Sequence, residues 1–277
     1  MALLRSASTV AAMTMISRVL GFVRDVLMAS VIGTGLIADA FVVAFRFPNL
    51  FRRLFAEGAF NAAFIPLFAR RLEGEGQPAA TRFAEEVLAV LLTFLILLSA
   101  LAMLAMPLII YILAPGFIDN PEKLDLTVQL TRVAFPYLNF MSLVALVGGI
   151  LNSLHRFTAA AAAPIILNIV LIMVLGFVLL SGWGSEPRTG YALVWGVSAA
   201  GLAQFVMLWI AMTRAGISLT LRRPAITPGV RRLVRLGVPG LIAGGITQIN
   251  LLVSTMIASL QDSAPSWLYY ADRIYQL

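Results

Sequence analysis

Between Ser6 and Arg53 seven charged side chains interrupt an otherwise apolar run: Arg18, Arg24, Asp25, Asp39, Arg46, Arg52 and Arg53. Five are arginines, whose planar fork grips phosphate oxygens bidentately and keeps its proton where a buried lysine would lose it. A charged side chain at bilayer depth costs about 2.5–3.5 kcal/mol on insertion scales, so such groups face a polar cavity or a partner. Arg18 and Asp25 stand seven residues apart, two turns, and share one face of a helix. Asp39, Arg46 and Arg53 repeat that step, with Asn49 and Arg52 flanking the stripe. The chemistry this wall suits is capture of a phosphate-bearing anion. Asp25 is expected to orient Arg18, because a carboxylate facing the ligand would repel phosphate. Asp39 is expected either to gate the outer side or to cap its helix.

The elements that carry these residues are membrane helices. The chain has 277 residues, 60% hydrophobic and 12% charged, where soluble domains hold about 45–50% apolar and about 25% charged residues. The fold class is therefore all-α, a polytopic membrane bundle. Spans 1 and 2 are expected over 6–32 and 38–67, hinged at Gly33-Thr34-Gly35, with Pro48 kinking the second. Span 3 runs from Val87 to Ile118, bent at Pro107. Span 4 covers 126–153 with Pro136 inside it, span 5 covers 158–181, and span 6 ends near Thr213. From Arg214 to Arg235 six arginines and two prolines make a basic connection, whose last part is expected to lie on the membrane surface. Span 7 covers 236–260 and span 8 starts near Ser266. Only about a dozen residues then remain before Leu277, roughly 18 Å where crossing needs about 20 residues, which reads as a fragment. The organisation is thus 1–213 as a first lobe of six spans, 214–235 as a cytoplasmic connection, and 236–277 as the start of a second lobe.

Loop charges orient the bundle. Arg5, Arg70, Arg71, Arg82, Arg156 and the six arginines of the long connection share one side, against Lys123 and Arg188 on the other. That asymmetry places the N-terminus in the cytoplasm. Arg132 is expected to snorkel near an interface. The formal charge of +7 follows from these loops and the helix interiors, so nucleic acid is not expected as a partner. Cysteine is absent and the single histidine, His155, sits in a short turn beside Arg156, so neither a metal nor another cofactor is expected. Carboxylates are scattered rather than clustered, which argues against a membrane enzyme acting on polyprenyl phosphates. No ATP-binding motif is present.

The segments Ser17 to Asp25, Asp39 to Arg53 and Phe55 to Phe60 resemble the MurJ (MviN) family of lipid II flippases. Ala114 to Phe117, Leu146 to Asn152 and Trp267 to Arg273 continue the resemblance in order along the chain. The resemblance implies the multidrug/oligosaccharidyl-lipid/polysaccharide exporter superfamily, with fourteen helices as two six-helix lobes and a terminal pair that holds a polyprenyl tail. It implies a transporter, not an enzyme, that moves lipid II, an undecaprenyl-pyrophosphate-linked disaccharide peptide, to the outer leaflet by alternating access. It places the protein in the bacterial cytoplasmic (inner) membrane, among membrane lipids and the peptidoglycan synthesis machinery, with a coupling ion or the membrane potential as energy source. The family's cavity arginines fall on Arg18, Arg24, Arg52 and Arg273, with Asp25, Asp39, Arg46, Asn49 and Arg53 in support. Relatives often carry glutamate where this chain has Gln276. The alternative is an exporter of drugs or of another polyprenyl-linked glycan.

Overall fold

Prolines open most of the helices, where a missing N–H costs nothing and the fixed φ suits a first turn. The computed structural model describes residues 2–53 and 60–275, the side chains of residues 2–7, 51, 52 and 247 excepted. The described helices are α1 (Ala2–Ile32), α2 (Leu36–Arg52), α3 (Phe60–Glu75), α4 (Gln77–Leu104), α5 (Met106–Leu113) and α6 (Pro121–Ala134). They continue with α7 (Tyr137–Ser153), α8 (Phe157–Ser181), α9 (Pro187–Arg214), α10 (Pro228–Ser259) and α11 (Ala264–Tyr275). No strand occurs among the described residues. Among the described residues five segments are long and apolar enough to cross a membrane: Gln77–Leu104, Pro121–Ser153, Phe157–Ser181, Pro187–Arg214 and Pro228–Ser259. The protein is a multi-pass helical membrane bundle.

Several breaks come where backbone chemistry demands them. Gly33 (φ 58°) and Gly35 (φ 120°) take left-handed conformations between α1 and α2, which a side chain would strain. Pro48 does not interrupt α2, which continues to Arg52. Pro107, by contrast, ends α4 at Leu104 and starts α5, so span 3 is two helices. Pro107 has no N–H to give the carbonyl of Met103, four residues back; Arg132 Nε donates to that carbonyl at 3.1 Å. Arg132 therefore mends a broken helix rather than reaching for an interface. Pro136 likewise splits span 4 into α6 and α7, and beside the break Ser198 of α9 donates to the carbonyl of Val133 at 2.9 Å.

Among the described residues the buried ones form two clusters, a larger one joining α1–α4 with α6–α10 and a smaller one around α5. α1 lies along α8, α8 and α7 along α9, α2 along α6, and α3 against α4 and α7. Phe60, Phe64, Phe68 and Phe83 stack at centroid distances of 5.3–5.7 Å where α3 meets α4. Residues 215–227 then run without helix, and α10 begins at Pro228. Arg231, Arg232 and Arg235 thus belong to its first turns instead of a separate surface segment. This connection is pinned to α4: Glu85 accepts from the backbone and hydroxyl of Thr220 and from Arg222, and Glu86 accepts from Thr227 at 2.8 Å.

Helices α10 and α11 return along α2 and α3. At one end of the bundle the backbones touch: Gly116 N donates to Ser259 Oγ at 3.1 Å, and a Cβ at Gly116 would collide with the backbone of Ser259 and Leu260.

Candidate functional site

A cavity of about 640 Å³ opens between α1, α2, α7, α8, α9 and α11. Arg18 and Arg24 of α1, Arg53 at the C-terminal cap of α2 and Arg273 of α11 line it, together with Asp25 and Asn49. One carboxylate faces four guanidinium groups, leaving three formal positive charges unmatched among the described lining residues.

Arg24 is buried, and a buried guanidinium is tolerated only with its donors satisfied. Its Nε and Nη2 donate to Asp25 Oδ1 at 3.0 and 2.7 Å, and Nη1 donates to Asn168 Oδ1 at 2.8 Å. Asn168 in turn donates through Nδ2 to the carbonyl of Ser17 at 2.8 Å, so one amide of α8 ties two turns of α1 to the fork of Arg24. Tyr269 of α11 donates to Asp25 Oδ1 at 3.0 Å, and Arg273 Nε stands 3.6 Å from Asp25 Oδ2 with its guanidinium 4.9 Å from the Tyr269 ring. Asp25 is therefore the hub that holds Arg24 and Arg273 beside each other across α1 and α11. It does not orient Arg18, as the seven-residue spacing suggests, because the long side chain of its neighbour Arg24 folds back onto it. Arg18 is exposed to the cavity and makes no ion pair or hydrogen bond among the described residues.

The stripe on α2 splits by height. Arg53 and Asn49 reach the cavity. Arg46, one turn away, donates from Nη1 to Thr255 Oγ1 of α10 at 2.7 Å and lies outside the cavity lining. Asp39, fully buried at the far end of α2, accepts from Lys123 Nζ at 2.7 Å and from the backbone N–H groups of Ser263 and Ser266 at 3.1 and 3.0 Å. Asp39 thus caps the start of α11 from another helix. Its partners are α11's own N-terminus and Lys123, not an arginine of that helix. Lys123, the chain's one lysine, also lies 3.6 Å from Asp262 and over the Phe117 ring at 4.4 Å. The side chain of Arg52, residues 54–59 and Gln276 lie outside the described residues.

Asn168, Tyr269, Thr255 and Lys123 were missed by reasoning from spacing. Two carried a signal: Asn168 is the one amide in a helix of 25 residues, and Lys123 has no lysine companions. Among the described residues no group of three or more His, Cys, Asp or Glu could hold a metal ion.

The comparisons agree with this architecture. The family model described as lipid II flippase MurJ matches residues 28–277. A protein of Rhizobium meliloti (strain 1021) named probable lipid II flippase MurJ is 53% identical over the whole chain, which covers 52% of that relative. The lipid II flippase MurJ of Burkholderia cenocepacia is 36% identical, again over 100% of this chain and 54% of its own length. The chain spans about half the length of the curated relatives it matches. Among solved structures, a lipid II flippase MurJ in an inward closed conformation superposes with a TM-score of 0.76 over 96% of this chain and 54% of its own, at 24% identity. A MATE transporter bound to MaD3S gives 0.66 over 99% and 65% at 17% identity, a likeness of fold alone. With the family model matching most of its length and these relatives matching all of it, the chain belongs to the lipid II flippase MurJ family.

Proposed function

We propose that this chain forms the substrate-receiving half of a transporter that moves lipid II between leaflets of the bacterial cytoplasmic membrane. The observation that carries the reading is the cavity in which Arg18, Arg24, Arg53 and Arg273 face a single carboxylate among the described residues. A diphosphate needs several fixed donors to replace its hydration, and arginine forks supply them in pairs. Asp25 is paired with two of those forks, Arg24 and Arg273. An incoming pyrophosphate competes with Asp25 for Arg273, which lies on the helix that the Asp39 cap ties down. Binding and release of α11 are thereby linked, the differential contact that alternating access requires. Arg52 joins the set by position in the sequence. The arginine-rich loops support an N-terminus in the cytoplasm, and residues 1–213, 214–235 and 236–277 act as first lobe, connection and opening helices of the second lobe.

The test uses the full-length protein in cells whose own flippase is switched off. Wild type, Arg24→Ala and Arg273→Ala are compared at matched membrane levels by labelling lipid II on the outer leaflet. Loss of exposure with precursor retained inside is expected for both variants. Normal exposure in both would leave the arginines as structural pairs, and failure of the wild type would point to a different cargo.

A further inference from the structure

A second cavity, of about 320 Å³, lies between α3, α4 and α10, away from the arginine cluster. Phe60, Val87, Phe94, Val230, Val238 and Leu241 are among its walls, and no polar side chain lines it. Along α10 it runs from Val230 to Leu241, eleven residue steps or about 16 Å at 1.5 Å each. That is half of a hydrocarbon core about 30 Å thick, the depth of one leaflet. At the start of the slot α10 presents Arg231, Arg232 and Arg235, all exposed and none ion-paired or side-chain hydrogen-bonded among the described residues. Arginines one or two turns from a span's entry reach the headgroup layer while their stems stay on apolar surface.

We infer that this slot binds an anionic phospholipid, one acyl chain lying between α4 and α10 and the phosphate held by Arg231 and Arg235. Hydrocarbon is the only ligand chemistry the walls accept, since a buried polar group there would find no partner. Charge selects the headgroup: unpaired arginines at a membrane surface favour anionic over zwitterionic lipid. The geometry also gives the lipid a role. One wall belongs to α3 and α4 and the other to α10, beyond the basic connection, so the chain of the lipid lies in the seam between the proposed lobes. Helix α10 moves relative to α4 only by reshaping or emptying the slot. This inference does not rest on the substrate reading.

The test places full-length protein carrying Val238→Cys, labelled with a small fluorophore, in nanodiscs; the 277 residues hold no competing cysteine. Brominated phosphatidylglycerol or brominated phosphatidylcholine is titrated as quencher against unbrominated phosphatidylcholine. Half-quenching is expected at a mole fraction at least fivefold lower for phosphatidylglycerol. The double variant Arg231→Gln/Arg235→Gln, on an exposed face, is expected to bring that ratio below two. Gly237→Leu, which fills the slot, is expected to weaken quenching by both lipids. Equal midpoints in the wild type, a preference that survives loss of both arginines, or no quenching by either lipid because protein covers the slot would each overturn the inference.

Discussion

Replacing Asp39 by asparagine changes one atom type and should open the end of the bundle where α2 meets α11. Asp39 is fully buried and accepts three hydrogen bonds, from Lys123 at 2.7 Å and from the N–H groups of Ser263 and Ser266 at 3.1 and 3.0 Å. An amide offers one acceptor oxygen to three donors and leaves the buried Lys123 ammonium with only the exposed Asp262 carboxylate, 3.6 Å away, as counter-charge. Breaking a buried pair in this way costs about 3–5 kcal/mol. At about 1.4 kcal/mol per factor of ten, the opening equilibrium shifts by roughly 140- to 4,000-fold, enough to turn a seam that is about 1% open into one that is mostly open. Spin labels at Asp119→Cys and Gln261→Cys, both exposed and on opposite sides of the seam, report the distance in the full-length protein. Asp39→Asn should add a long-distance population. Lys123→Met should add less, because Asp39 keeps two backbone donors. The double variant should recover part of the loss, since it removes the stranded charge. A distance distribution unchanged by Asp39→Asn, or strictly additive effects, would refute the latch.

The same seam should fail sterically in Gly116→Val, whose side chain collides with the backbone of Ser259 and Leu260; the label distance should lengthen even with Asp39 intact. Glu85→Ala removes the acceptor for Thr220 and Arg222. Trypsin should then cut after Arg222 at least several-fold faster, while an unchanged rate would show that the connection is held elsewhere. Asn168→Leu deletes the acceptor for Arg24 Nη1 and the donor to Ser17, at a cost of about 1–3 kcal/mol for a buried group left unpaired. Lipid II affinity should drop as Arg24 loses its aim, and Asn168→Asp, which keeps an acceptor for Arg24, should restore more of it than Asn168→Leu.

Much of this was legible in the sequence, for identifiable reasons. Long apolar runs with proline at their starts define membrane helices whatever their neighbours do, so the helical bundle follows from hydropathy. Arg18, Arg24, Arg46, Arg52 and Arg53 stood out because charge inside such runs is costly, whereas Arg273 came from the resemblance to the family. Pairing was not legible. Helical spacing matched Asp25 with Arg18, but adjacency and a flexible side chain gave it to Arg24, while Tyr269 and Arg273 came from more than 240 positions away. Nothing local says that Asp39 meets Ser266, because that contact exists only once α11 folds back onto α2. Prolines show a similar limit. Pro48 and Pro107 look alike in the chain, yet α2 continues through the first and α4 stops before the second, where Arg132 arrives to take the orphaned carbonyl.

The central claim is that the cavity arginines hold the phosphates of the substrate, and lipid II binding to the purified full-length protein tests it most directly. Each guanidinium that bonds a phosphate should contribute about 1.5–3 kcal/mol, or roughly 10- to 150-fold in Kd. Arg24→Ala and Arg273→Ala should each weaken binding by at least tenfold, while Arg231→Gln, outside the cavity, leaves it within twofold. Affinities within twofold of wild type for both cavity variants would contradict the account.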